Sequence, residues 1–139
     1  MNGESTTILI VDDNPTNLKL VSALLGYEGH RIVTATNGED AERIVKQSPP
    51  VLILMDIALP GIDGLTLTQK LKADPNTRDI CIVALTASAM KGDEQKAFAA
   101  GCDGYLTKPI DTRTFPAQIA GYLARAKECK KGPDESPHC

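Results

Sequence analysis

Apolar positions in this chain come in short blocks separated by longer segments of mixed character. ILIV at 8–11, HRIVTA at 30–35, VLILM at 51–55 and CIVAL at 81–85 have the length and residue types of strands, and DGYLT at 103–107 is a shorter run of the same kind. Between them, 15–25, 39–47, 64–73, 90–100 and 115–126 repeat their apolar residues with a helical period. Strand and helix in strict alternation predict right-handed βαβ units and a mostly parallel sheet. The first and third runs are nearly continuous in apolar residues, as strands covered on both faces are. The predicted fold is therefore α/β, a three-layer sandwich.

Several boundaries carry their own chemistry. Asn14 can cap a helix that starts at Pro15, where a missing N–H costs nothing. Leu18, Val21 and Leu25 then give that helix one apolar face. Asn37-Gly38 and Asp74-Pro75 are turn signals, and Gly101 after KAFAA is a helix stop. Thr114 is a plausible cap for the last helix, with Pro116 in its first turn. After Ala126 the polar stretch KECKKGPDESPHC has no periodicity, so residues 1–126 are expected to form the domain and 127–139 a disordered tail. With no internal repeat and no second domain visible, the expectation is a single-domain protein.

Composition narrows the function classes. A chain of 139 residues with 42% hydrophobic and 24% charged positions can build one substantial core. A net charge of −3 without a basic run argues against a nucleic-acid surface. Neither a signal-peptide core nor a bilayer-length apolar segment is present, which predicts a cytoplasmic protein without a membrane partner. The four cysteines form no C-x-x-C pair, and only His30 and His138 could assist them, so zinc and a disulfide framework are both disfavoured. Cys81, in an apolar run, reads as a small buried hydrophobe.

The unusual feature is that two apolar runs end on acid. The first ends on Asp12 and Asp13, the third on Asp56. Burying unpaired carboxylates is costly, so such groups are normally paired, metal-bound or kept at a wet edge. If the first and third strands are neighbours, Asp12, Asp13 and Asp56 share one crevice at the carboxyl edge of the sheet, with Thr86 and Lys108 from later strand ends. Clustered carboxylates select a hard cation such as Mg²⁺. An aspartate can also act as nucleophile and form an aspartyl-phosphate, with a metal and a lysine ammonium neutralising the transferred group.

The motifs LIVDDN, LILMDIALPGIDG, IVALTA and GYLTKPI, in that order over residues 7–125, resemble the receiver domain of two-component response regulators. The resemblance implies a flavodoxin-like sheet in order 2-1-3-4-5 with five helices. It implies phosphorylation of Asp56 by a histidine kinase or histidine phosphotransfer protein, catalysed by the receiver itself. Asp13, Asp56 and the backbone carbonyl of Ala58 would hold Mg²⁺, with Asp12 acting through water, while Lys108, Thr86 and Ala87 would surround the phosphoryl group. Thr86 and Tyr105 match the family's switch pair, and the Lys108-Pro109 bond is expected to be cis. A downstream target would bind the face built by the fourth helix, fifth strand and fifth helix, the protein being a monomer or a phosphorylation-dependent dimer. MKGDEQKAF is similar to single-domain cell-cycle regulators and to receivers of hybrid kinases. Ala58 and Ala87 occupy positions thought to govern phosphoryl lifetime, and Cys81 stands where many members have proline.

Other functions fit less well. A phosphohydrolase with an aspartyl-phosphate intermediate wants a second acid two residues after the nucleophile, where this chain has Ala58. A flavin-binding protein of the same architecture needs a Ser/Thr/Gly-rich phosphate loop, which DDNPTN is not. A phosphorylation-independent scaffold leaves the full set of polar residues without a use. Taken singly, the residues have bland readings too. Asp12 and Asp13 could start a helix, Lys108 could be solvated, and Tyr105 could be packing with a wet hydroxyl. His30 reads as a surface residue, LKADPNTRD as a solvated helix end rather than a partner patch, and Met90 and Phe98 as packing residues of the fourth helix or, where exposed, as part of the partner face.

Overall fold

The computed structural model describes residues 7–56, 64–86, 93–107 and 111–131, without the side chains of 93, 94 and 125–131. In chain order the elements are β1 (Thr7–Val11), α1 (Pro15–Tyr27), β2 (Arg31–Ala35), α2 (Gly38–Gln47), β3 (Leu52–Asp56), α3 (Gly64–Ala73), β4 (Cys81–Thr86), α4 (Asp93–Ala100), β5 (Gly104–Thr107) and α5 (Phe115–Lys131). The five strands pair in parallel in the order β2-β1-β3-β4-β5, as the resemblance implied. The expectations for Ala58, Ala87, Met90, Lys108 and Pro109 lie outside the described residues.

Successive strand residues point to opposite faces, and this splits the core in two. Leu9, Val11, Ile53, Met55, Ile82 and Ala84 face α2, α3 and α4, meeting Val45, Leu67, Leu71 and Ala97. Ile8, Ile10, Leu52, Leu54, Val83 and Leu85 face α1 and α5, meeting Val21, Leu25, Phe115, Ile119 and Leu123. This is the three-layer sandwich. Each Val, Leu, Ile, Met or Phe side chain removed from water contributes about 1.5–3 kcal/mol, against the conformational entropy lost on folding.

Local signals position the helices. Asn14 caps α1, its Oδ1 accepting from the N–H of Thr16 at 2.9 Å and of Asn17 at 3.2 Å, with Pro15 at the first helical position. α1 runs two residues past Leu25 and closes at Gly29, whose φ of +93° is left-handed. The Gly29 N–H donates to Gly26 and that of His30 to Leu25. α4 closes the same way at Gly101, with Gly101 N–H donating to Phe98 and Cys102 N–H to Ala97.

Three expectations need correction. α5 does not stop at Ala126 but continues to Lys131, because AKECKK lacks any breaker before Gly132-Pro133 and helix propensity outlasts the apolar period. Phe98 is exposed on α4, which removes its packing reading; among the described side chains of α4 the buried ones are the small Ala97 and Ala100. The segment 71–79 is not a simply solvated helix end. Leu71 and Thr77 are buried there, and the Thr77 hydroxyl donates to the Leu71 carbonyl at 2.5 Å. Cys81 is buried as expected, and so is Cys102.

Candidate functional site

β1 and β3 lie side by side with Val11 opposite Met55, so Asp12 and Asp56 end adjacent strands at one edge of the sheet. Oxygen atoms of Asp12, Asp13 and Asp56 all lie within 4.8 Å of one another. Asp12 and Asp56 are 0% and 4% exposed, whereas Asp13 is open to solvent. Two buried carboxylates and one exposed carboxylate thus converge where the apolar strands run out.

Asp12 is oriented by the first turn of α1. Its Oδ1 accepts the Asn14 N–H at 2.9 Å, its Oδ2 accepts from the Asn17 side-chain amide, and its own N–H donates to the Ala35 carbonyl at 3.0 Å. Asn14 therefore serves twice, its side chain capping α1 and its backbone binding Asp12. Asn17 was not recognised from the sequence. The available signal was its place as the third helical residue, where a side chain leans back toward the helix N-terminus and the preceding strand end.

β4 brings Thr86 to the same edge. Leu85 pairs with Asp56, so Thr86 lies one residue beyond it on the neighbouring strand, 4% exposed. On the far side Thr107 pairs with Thr86 and Tyr105 with Ala84. Tyr105 is half-buried against the core cluster that holds Ala84 and Ala97, and its hydroxyl is shielded from solvent rather than wet. Lys108 would follow Thr107 directly in the chain, outside the described residues. Asp12, Asp13, Asp56 and Thr86 come together as expected, with Tyr105 two strand positions below the edge.

The donor set suits a hard divalent cation. Every converging atom is a carboxylate oxygen, the three carry like charge at short range, and one of them is open to water. Mg²⁺ binds through one or two carboxylates and keeps several waters, a demand this half-open cluster can meet. Thr86 brings a hydroxyl-bearing residue to the same edge.

A family model of the response regulator receiver domain matches residues 8–120. Polar-differentiation response regulator DivK of Brucella anthropi is 41% identical over 120 residues, covering 86% of this chain and 98% of the relative. Among solved structures, the receiver domain of sensor histidine kinase PA1611 from Pseudomonas aeruginosa, with magnesium coordinated in its active-site cleft, has a TM-score of 0.79 and 33% identity, covering 86% of this chain and 98% of that one. A CheY-like receiver domain protein from Methanospirillum hungatei has a TM-score of 0.84 and 26% identity, covering 93% of this chain and 100% of that one. By sequence, topology and the acidic cluster at the strand ends, the chain belongs to the response regulator receiver family of two-component systems.

Proposed function

We propose that this chain is a phosphorelay regulator that accepts a phosphoryl group on Asp56 and thereby changes a protein-binding face. The observation that carries this reading is Asp56 itself, a buried carboxylate at a strand end with Asp12 and Asp13 within 4.8 Å and the Thr86 strand alongside. Asp13 and Asp56 would hold Mg²⁺ together with the Ala58 carbonyl, and Asp12 would act through a water. Bound there, the metal supplies charge neutralisation for the carboxylates and the incoming phosphoryl oxygens.

The chain's own groups do the rest. An Asp56 oxygen attacks the phosphorus of a phosphohistidine on a histidine kinase or phosphotransfer protein. The O–P bond forms as the P–N bond breaks, and the imidazole nitrogen leaves with the bonding pair. Water attacking the same phosphorus later returns the carboxylate and inorganic phosphate, so the receiver catalyses both its gain and its loss of the group. Lys108 is the point charge for the phosphoryl group, and Ala87, next to Thr86, lines it. The Thr86 hydroxyl donates to a phosphoryl oxygen, and Tyr105 responds by repacking. The face of α4, β5 and α5 then changes its affinity for a downstream protein, as a monomer or by dimerising. The proposed site of action is the cytoplasm; no described helix is long and apolar enough to cross a membrane.

Intact mass after incubation with acetyl phosphate, with and without Mg²⁺, tests this for wild type and Asp56→Asn. One Mg²⁺-dependent phosphoryl adduct that the variant lacks is expected. An adduct that survives in Asp56→Asn refutes the assignment. Thr86→Ala should still take up the group but lose the phosphorylation-linked change at Tyr105, read by its ring NMR signals.

A further inference from the structure

At the edge of the sheet opposite the acidic cluster, the turn joining α4 to β5 is fastened to α3 by three consecutive residues. Gly101 lies under the stem of Lys72, so close that a Cβ there would stand 2.8 Å from Lys72 Cγ. The Cys102 thiol reaches the Thr68 hydroxyl at 3.9 Å, one helical turn back on the same face of α3. Asp103 Oδ2 accepts from Lys72 Nζ at 2.8 Å. The Lys72 ammonium also donates to the carbonyls of Arg78 at 3.0 Å and Ile80 at 2.8 Å, so all three of its protons have acceptors. Both side chains of the pair are about four-fifths buried.

Asp103 meanwhile grips the start of β4. Its Oδ2 accepts the Ile82 N–H at 2.9 Å and its own N–H donates to the Ile82 carbonyl at 2.6 Å. These two bonds lie immediately before β5 begins. That strand has four residues and, among the described residues, pairs on one side only, with β4. Its register matters because Tyr105 packs into the α2–α3–α4 side of the core and Leu106 into the α1–α5 side. A slip of one residue would exchange them.

We propose that Lys72 and Asp103 are positioning residues of the switch: their clasp sets the register and seat of β5, and so where Tyr105 stands relative to Thr86. The clasp acts from the far edge of the sheet and touches neither the carboxylates nor the phosphoryl group. It follows that α3, which begins just after the Asp56 loop, supports the switch strand directly at its other end. The relevance of the seat to signalling rests on the switch reading of Tyr105 given above.

The test is amide hydrogen exchange of residues 104–107 against residues 8–11, with Tyr105 ring signals by NMR, in Lys72→Met, Asp103→Asn and Lys72→Arg. Loss of the clasp should speed exchange in β5 by about ten-fold or more, leave β1 within about two-fold, and shift the Tyr105 ring signals. Lys72→Arg, which keeps a cation and several donors, should restore most of the protection. Asp103→Asn keeps an acceptor for Ile82 and should fall between the two. Equal acceleration in β1 and β5 would reduce the pair to general stability and overturn the proposal, and so would unchanged exchange and ring signals. Absence of any phosphorylation-linked change at Tyr105 in wild type would instead count against the switch reading, while the exchange result still decides the clasp.

Discussion

Asp12 and Asp56 end neighbouring strands with carboxylate oxygens within 4.8 Å of each other, and both are almost wholly buried. Asn14 and Asn17 supply hydrogen bonds to Asp12 but no positive charge. Like charges this close repel, and a cation between them relieves that repulsion.

Binding a divalent cation should therefore stabilise the fold. Mg²⁺ at about 100 times its Kd adds about 2.7 kcal/mol. Melting curves in Mg²⁺ and in EDTA should differ by several degrees in wild type. Asp56→Asn should melt higher than wild type in EDTA, since one buried charge is gone, and gain less from Mg²⁺. A Mg²⁺ effect of equal size in both proteins would show that the ion acts elsewhere.

Asn17 offers a sharper test because it touches Asp12 without belonging to the acidic set. Asn17→Ala removes the amide that donates to Asp12 Oδ2, so the buried carboxylate has one donor fewer. The cost should be about 1–3 kcal/mol by denaturant melt. Phosphoryl uptake should also slow, since Asp12 loses its fixed orientation. A variant as stable as wild type, with the same uptake rate, would make Asn17 incidental.

The difference between what the residues announced and what they concealed has a physical basis. Period and turn chemistry are local, so the ten elements, the Asn14 cap and the Gly101 stop could all be read from neighbouring residues. Asp12, Asp13, Asp56 and Thr86 were legible because each ends an apolar run, and charge or hydroxyl at that position has no packing role. The α5 end was misplaced because apolar period marks burial, and the helix persists in water beyond its buried face. Lys72 and Asp103 were missed because their meaning lies in a contact 31 residues apart. In sequence, a lysine at a helix end and an aspartate in a turn look like ordinary solvated residues.

Cys102 predicts an alkaline limit to stability. Burial, the main cause, with Asp103 adding to it, pushes its thiol from 9.0 up to about 11, while the Thr68 hydrogen bond and Lys72 act the other way. Between those values the unfolded thiol has lost its proton and the native one has kept it. The native state then binds more protons than the unfolded, so stability falls as pH climbs from about 9 to about 11. The loss from this group is on the order of 2–3 kcal/mol. Below pH 9 it contributes no slope. Cys102→Ala should have a flatter stability curve over that window than wild type, since every other group is common to both proteins. Parallel curves would assign the alkaline loss to other groups.

Two glycines separate close approach from chain entropy. A Cβ on Gly104 would run into the ring of Tyr122, which lies against this first residue of β5 from the α5 side. Gly104→Ala should therefore displace Tyr122 from the core cluster it joins, at about 1–3 kcal/mol, the usual cost of overpacking. Gly121, on the exposed side of α5 one residue before Tyr122, has nothing within 4 Å of an added Cβ. Alanine there only restricts the unfolded chain and favours helix, so Gly121→Ala should stabilise by about 0.5–1 kcal/mol. Opposite signs in one set of urea melts are expected, with Tyr122 ring signals moved by the first substitution and not by the second. If Gly104→Ala is neutral, Tyr122 can give way freely and does not hold β5 in its seat.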